Sequence, residues 1–174
     1  MCWRQRRPNL YAHNISAILS QYYLKAVAIY KIKNKPLKMI NDCKIIELPK
    51  ITDQRGNLTF IEGNRHVPFD IKRIFYIYDI PSGVDRGAHA HIDLHQYIVC
   101  LSGGLSIYID DGNEKKTIIL SRPWMGLYIP PMTWASEGDF NPGTVYMVLT
   151  SDVYRSESYI RDYDQFLKKV RNNA

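Results

Sequence analysis

From Met39 onward the chain is a succession of short apolar runs separated by turn residues, and that spacing restricts the folds open to it. The runs at 44–48, 58–62, 71–78, 96–101, 105–109, 116–120, 126–129 and 145–150 have the length of strands, too short for helices. Asp110-Asp111-Gly112-Asn113 joins two alternating runs and is a strong hairpin signal, because Gly and Asn accept positive φ. Gly103-Gly104 and Pro130-Pro131 mark further junctions. Strands this close leave no room for the crossover helices of βαβ units, so the expectation is all-β: an antiparallel sandwich or barrel. One helix is predicted near the end, over 159–170, with Ile160, Tyr163, Leu167 and Val170 on one face.

The first 38 residues differ in character. They carry eight Lys or Arg and no acid, which leaves 15 basic against 17 acidic residues from Met39 onward. The net charge of +6 therefore belongs to the extension, and the mildly acidic body gives no case for nucleic-acid binding. Ile15, Ile18, Leu19, Tyr22, Tyr23, Ala26, Val27 and Tyr30 recur at loosely helical spacing between basic flanks, as in a membrane-surface helix or a targeting peptide. The favoured reading is plainer: a basic, dispensable extension over 1–38, left by an upstream start, ahead of a compact domain over 39–174. No run approaches the roughly 18 apolar residues of a membrane span, and no small-residue cleavage site marks a secretory signal. Cys2, Cys43 and Cys100 are odd in number and widely spaced, which speaks against disulfides or a zinc knuckle and fits a reducing cytoplasm. Cys100, inside an apolar run, reads as a buried inert thiol.

Three of the five histidines fall in Arg86-Gly87-Ala88-His89-Ala90-His91-Ile92-Asp93-Leu94-His95-Gln96. In an extended segment alternate side chains share a face, so His89 and His91 point the same way. Imidazole titrates near neutrality, with an unperturbed pKa of about 6.5, so such a pair suggests proton transfer or a metal. His95 follows Ile92-Asp93-Leu94, which reads as a turn and aims it elsewhere. A divalent cation wants three or four ligands, one of them usually anionic; His89 and His91 alone make a weak set, and no histidine occurs after His95.

The spacing of Gly83, His89, His91, Gln96 and Gly103 resembles the first motif of the cupins, small double-stranded β-helix barrels of jelly-roll type. Asp53-Gln54-Arg55-Gly56-Asn57-Leu58, Glu62, Pro68-Phe69-Asp70-Ile71-Lys72-Arg73-Ile74-Phe75-Tyr76 and Arg86-Gly87-Ala88-His89-Ala90-His91, in that order, narrow the likeness. So do Pro131-Met132-Thr133-Trp134 and Tyr159-Ile160-Arg161-Asp162-Tyr163-Asp164. Together they resemble the sugar-nucleotide 3,4-ketoisomerases, the WxcM-like cupins that act on dTDP-4-keto-6-deoxyglucose. The likeness spans about residues 42–168. One departure stands out: some relatives have His after the tryptophan, whereas Ala135 follows Trp134 here.

The resemblance implies a cytoplasmic isomerase that moves the ketone from C4 to C3 of a dTDP-linked 4-keto-6-deoxy sugar through an enediolate, with no metal and no cofactor. Its nearest rivals are a sugar-nucleotide epimerase of the related cupin type and a non-catalytic cupin that binds a sugar or nucleotide. His89 and His91 are then the catalytic pair, one carrying the carbon-bound proton and the other serving the C3 and C4 oxygens. Arg55, Arg73 and Arg86 are the candidates for the diphosphate, since guanidinium grips phosphate bidentately. Tyr76 and Tyr78, on one face of their strand, are candidate donors or sugar-stacking groups. By likeness to the 3,5-epimerase cupins, Arg55 and Glu62 reach a neighbouring subunit's nucleotide, which implies a homodimer.

Overall fold

Alternation of inward and outward side chains builds two facing sheets in this computed structural model, which describes residues 39–172. The basic extension, with the helix expected at 15–30, lies outside the described residues. A one-turn helix α1 (Met39–Asp42) leads into β1 (Lys44–Glu47), the hairpin β2 (Lys50–Asp53) and β3 (Gly56–Thr59), and β4 (Arg73–Ile77). Then come β5 (Arg86–His91), β6 (Gln96–Ser102), β7 (Leu105–Asp110) and β8 (Lys115–Leu120). β9 (Met125–Ile129), β10 (Trp134–Gly138), β11 (Val145–Thr150), the two-residue β12 (Tyr159–Ile160) and helix α2 (Tyr163–Asn172) complete the order. One sheet runs β1-β9-β6-β11-β4 and the other β12-β5-β10-β7-β8, with antiparallel neighbours throughout.

Ile98 and Cys100 on β6 meet Ile107 and Ile109 of β7 and Tyr146 and Val148 of β11 between the sheets. The opposite face of β6 is also covered: Tyr97 and Val99 pack with Leu48, Val67, Phe69 and Leu149. Burial on both faces explains the unbroken apolar run at 97–100, whereas Leu101 is exposed. Cys100 is 1% exposed, and burial pushes its thiol up, as an inert core cysteine requires. The Asp110–Asn113 hairpin forms as predicted, with Gly112 at φ +88°.

Three differences from the sequence reading bear on function. β10 is a strand although Trp134-Ala135-Ser136-Glu137-Gly138 has no apolar alternation; its pairing with both β5 and β7 makes it one. The predicted run at 58–62 ends earlier as β3, held by the hairpin to β2. The closing helix starts at Tyr163 rather than 159, because Tyr159 and Ile160 pair with His91 and Ala90 as β12. Helix α2 then buries Phe166 and Val170 against Ala90, Met132 and Ile160, bracing β5 from outside.

Candidate active site

Between the two sheets lies a cavity of about 220 Å³. The sheet containing β5 contributes His89, His91, Arg86 and Glu137, and the facing sheet contributes Phe75, Ile77, Gln96 and Tyr146. β5 is irregular where it enters: Gly87 (φ +75°) and Ala88 (φ +55°) are left-handed, and the register against β10 shifts between Ala135 and Ser136. Such a bulge re-aims the side chains that follow it. Beyond it His89 and His91 alternate onto the cavity face, as expected for an extended segment.

The two imidazoles stand Nε2 to Nε2 at 3.1 Å, their rings close to perpendicular. A hydrogen bond between two ring nitrogens requires that one carry the proton and the other receive it. The ring of Tyr159 lies 4.9 Å from His89 and 4.3 Å from His91, which holds both rings in place. Burial lowers both pKa values; for His91 the value falls to about 3, with the neighbouring His89, Arg73 and Arg161 adding to the effect of burial. Both rings are therefore neutral at physiological pH, below the near-neutral titration expected from sequence. His91 Nδ1 is buried without a hydrogen-bond partner among the described residues.

The candidate binding residues fall into two groups. Arg86 lines the cavity, and Arg73 sits at the head of β4 with its guanidinium 4.7 Å from the Phe75 ring and 5.4 Å from that of Tyr154. Arg55 occupies the β2–β3 turn, its side chain 90% exposed and paired with Asp53 at 2.5 Å. Glu62 is exposed and paired with Arg65 at 2.7 Å. Neither Arg55 nor Glu62 reaches this chain's own cavity. Tyr76 and Tyr78 do not line it either. Strand alternation turns Phe75 and Ile77 inward, leaving the tyrosines 63% and 57% exposed on the other face. His95 points away, as its turn predicts: Nδ1 is 2.7 Å from the Tyr128 hydroxyl and the ring stacks on Phe69 and Tyr128. Among the described residues no three His, Cys, Asp or Glu side chains gather as a metal would require.

Sequence reasoning missed Tyr159 and Glu137, which line the cavity, and Arg161, whose charge acts on the histidines from beside it. Arg161 lies with its guanidinium 4.4 Å from the Tyr159 ring, and its charge is felt at both histidines. Tyr159 and Arg161 were visible in a recognised segment but were read as helix. Glu137, 8% exposed, sits on the strand that apolar patterning did not reveal. A charged residue in a short run between aromatic Trp134 and Gly138 was the only available signal.

A β-sandwich closed around an imidazole pair is a cupin barrel, and its backbone superimposes on that of the Mycobacterium tuberculosis RmlC epimerase. That match has a TM-score of 0.59 at 16% identity over 67% of this chain and 66% of the other. The chain belongs to the FdtA family, WxcM-like, C-terminal, whose model matches residues 41–171. It is 46% identical over 127 residues to the TDP-4-oxo-6-deoxy-alpha-D-glucose-3,4-oxoisomerase of Aneurinibacillus thermoaerophilus, covering 73% of this chain and 91% of that one. It is 39% identical, with a TM-score of 0.75, to a histidine-to-asparagine mutant of the 3,4-ketoisomerase QdtA from Thermoanaerobacterium thermosaccharolyticum. That structure, a complex with TDP-4-keto-6-deoxyglucose, is matched over 77% of this chain and 97% of that one.

Proposed function

We propose that the chain is a sugar-nucleotide 3,4-ketoisomerase that converts dTDP-4-keto-6-deoxyglucose into a dTDP-3-keto-6-deoxyhexose. The observation that carries this reading is the neutral His89–His91 pair, 3.1 Å apart inside the cavity of a chain 46% identical to an oxoisomerase of that substrate class. The C4 carbonyl acidifies the hydrogen on C3. A neutral imidazole removes it, an enediolate forms, and the same pair returns a proton to C4. Arg73 and Arg161, the cations felt at His91, take the diphosphate. Its negative charge offsets theirs, so binding raises the His91 pKa from about 3 toward the range in which imidazole both accepts and returns a proton. A cytoplasmic location fits this reading, since its substrate is a sugar nucleotide.

A homodimer fits the same reading. An apolar groove of about 460 Å³, lined by Leu48, Ile74, Leu101, Trp124 and Met147 among others, lies on the outer face of the first sheet. Asn57 and Thr59 of β3 border it. A second copy seated there lies beside the turn that carries Arg55, which supports Arg55 and Glu62 acting across the interface.

The test is to incubate the protein with dTDP-4-keto-6-deoxyglucose in D₂O and follow the sugar by NMR. A ketone appearing at C3 with deuterium at C4 supports the isomerase; exchange with the ketone still at C4 in the final product points to an epimerase. His89→Asn and His91→Asn are each expected to lower turnover by at least about 100-fold. Turnover unchanged in both variants would overturn the assignment.

A further inference from the structure

Moving a ketone from C4 to C3 relocates two protons, each by one removal and one delivery. One proton leaves C3 and one arrives at C4; a second leaves O3 and one arrives at O4. The imidazoles, joined through their Nε2 atoms at 3.1 Å, form one unit for the carbon-bound proton. Among the described residues one carboxyl group lines the cavity, that of Glu137, and it lies on the same wall as that unit. A Cβ on Gly87 would stand 2.5 Å from Glu137 Oε2, so the carboxyl lies against the strand residue two before His89. Ala135, directly opposite His89 in the ladder, offers no polar atom on its side chain.

We propose that Glu137 carries the oxygen-bound proton of the isomerisation, giving a proton to O4 and taking one from O3, while the imidazole pair carries the carbon-bound proton. This rests on the ketoisomerase reading above. As the C3–H bond breaks, its electrons form C3=C4 and the carbonyl electrons move onto O4, giving the enediolate and an imidazolium. Only then does O4 take the Glu137 proton to give the enediol, so exchange at C3 does not need Glu137. In the return step the Glu137 carboxylate removes the O3 proton, the O3 electrons form the new carbonyl, and C4 takes its proton from the imidazolium. Glu137 ends as it began, protonated, and no external donor is consumed.

The surroundings suit such a carrier. Burial raises the Glu137 pKa to about 7, against the opposing pull of the Arg86 guanidinium. The other titratable groups facing the cavity are Tyr146, kept protonated by burial, the neutral imidazoles of His89 and His91, and Tyr159, with Arg73 and Arg161 acting on His91. A carboxyl that ionises near neutrality both gives and takes a proton readily.

The test compares the wild-type protein and Glu137→Gln with dTDP-4-keto-6-deoxyglucose in D₂O, following C3 exchange and ketone transfer separately by NMR. Glu137→Gln keeps the shape of the side chain and removes the transferable proton. The expected result is deuterium washing into C3 at near the wild-type rate while formation of the 3-ketone falls at least about 100-fold. The same separation is expected in the wild-type protein as pH rises through 7: ketone transfer declines while C3 exchange persists. That comparison needs no variant, so it stands even if Glu137→Gln fails to fold. Ketone transfer within twofold of wild type in Glu137→Gln, or C3 exchange falling in step with it, overturns the role of Glu137. Absence of both reactions in the wild-type protein overturns the ketoisomerase reading itself, and the role of Glu137 with it.

Discussion

Residue by residue, the cavity sets positive charge against unprotonated rings. Burial lowers the His91 pKa, and Arg73 and Arg161 add to it, so the ring stays neutral. Arg73→Ala is expected to weaken dTDP binding about 10- to 100-fold, the size of one charge-assisted hydrogen bond, measured by calorimetry. The same variant should raise the His91 pKa, read from its imidazole NMR shifts. An unchanged dTDP affinity would remove Arg73 from the diphosphate site. Arg73 was legible because it lies in a recognisable segment; Arg161 was hidden because its segment reads equally well as helix.

The element that decides the site is β5. Its sequence, Arg86-Gly87-Ala88-His89-Ala90-His91, looks like a plain alternating strand, yet its first half is a left-handed bulge fitted around Glu137. Gly87→Ala is expected to destabilise the fold by about 1–3 kcal/mol, since alanine is strained at φ +75° and its Cβ meets the Glu137 carboxyl. Thermal unfolding measures the loss, and turnover should fall with it because the bulge aims His89. A melting temperature equal to wild type would show that the bulge is not under this constraint. Strands with alternating or continuous apolar residues were readable in advance. β2, β10 and β12 were not; the first is a strand by its pairing with β3 and the other two by their pairing with β5.

At the scale of the whole molecule, the buried pair of opposite character makes stability depend on pH in two directions. The folded protein keeps His91 unprotonated down to about pH 3, whereas the unfolded chain takes up that proton near 6.5. Stability therefore falls as pH drops below about 6.5. Glu137 works the other way: the fold holds its proton up to about pH 7, whereas an exposed glutamate loses it near 4.5. Stability is lost as pH rises through that window, by a total on the order of 3 kcal/mol. Denaturant titrations from pH 4 to 9 should show Glu137→Gln gaining stability relative to wild type as pH rises; parallel curves would contradict the buried carboxyl. The apolar groove makes the second prediction at this scale. Leu101→Glu, placing charge in a wall of the groove where Leu101 is 43% exposed, should shift the protein toward monomer in sedimentation velocity. A monomeric wild-type protein would remove the dimer from the reading.

Side-chain period and turn chemistry are properties of neighbouring residues, so the chain by itself determined an antiparallel all-β domain, its hairpin at Asp110–Asn113 and the shared direction of His89 and His91. Family membership was equally legible, because its motifs are contiguous in sequence. Which residues share a cavity depends on strands distant in the chain. Only the folded sheets decided that Glu137 and Arg161 stand with the histidines, that Tyr76 and Tyr78 face outward, and that both imidazoles are neutral. Burial and the charge of distant neighbours exist only once the two sheets have closed.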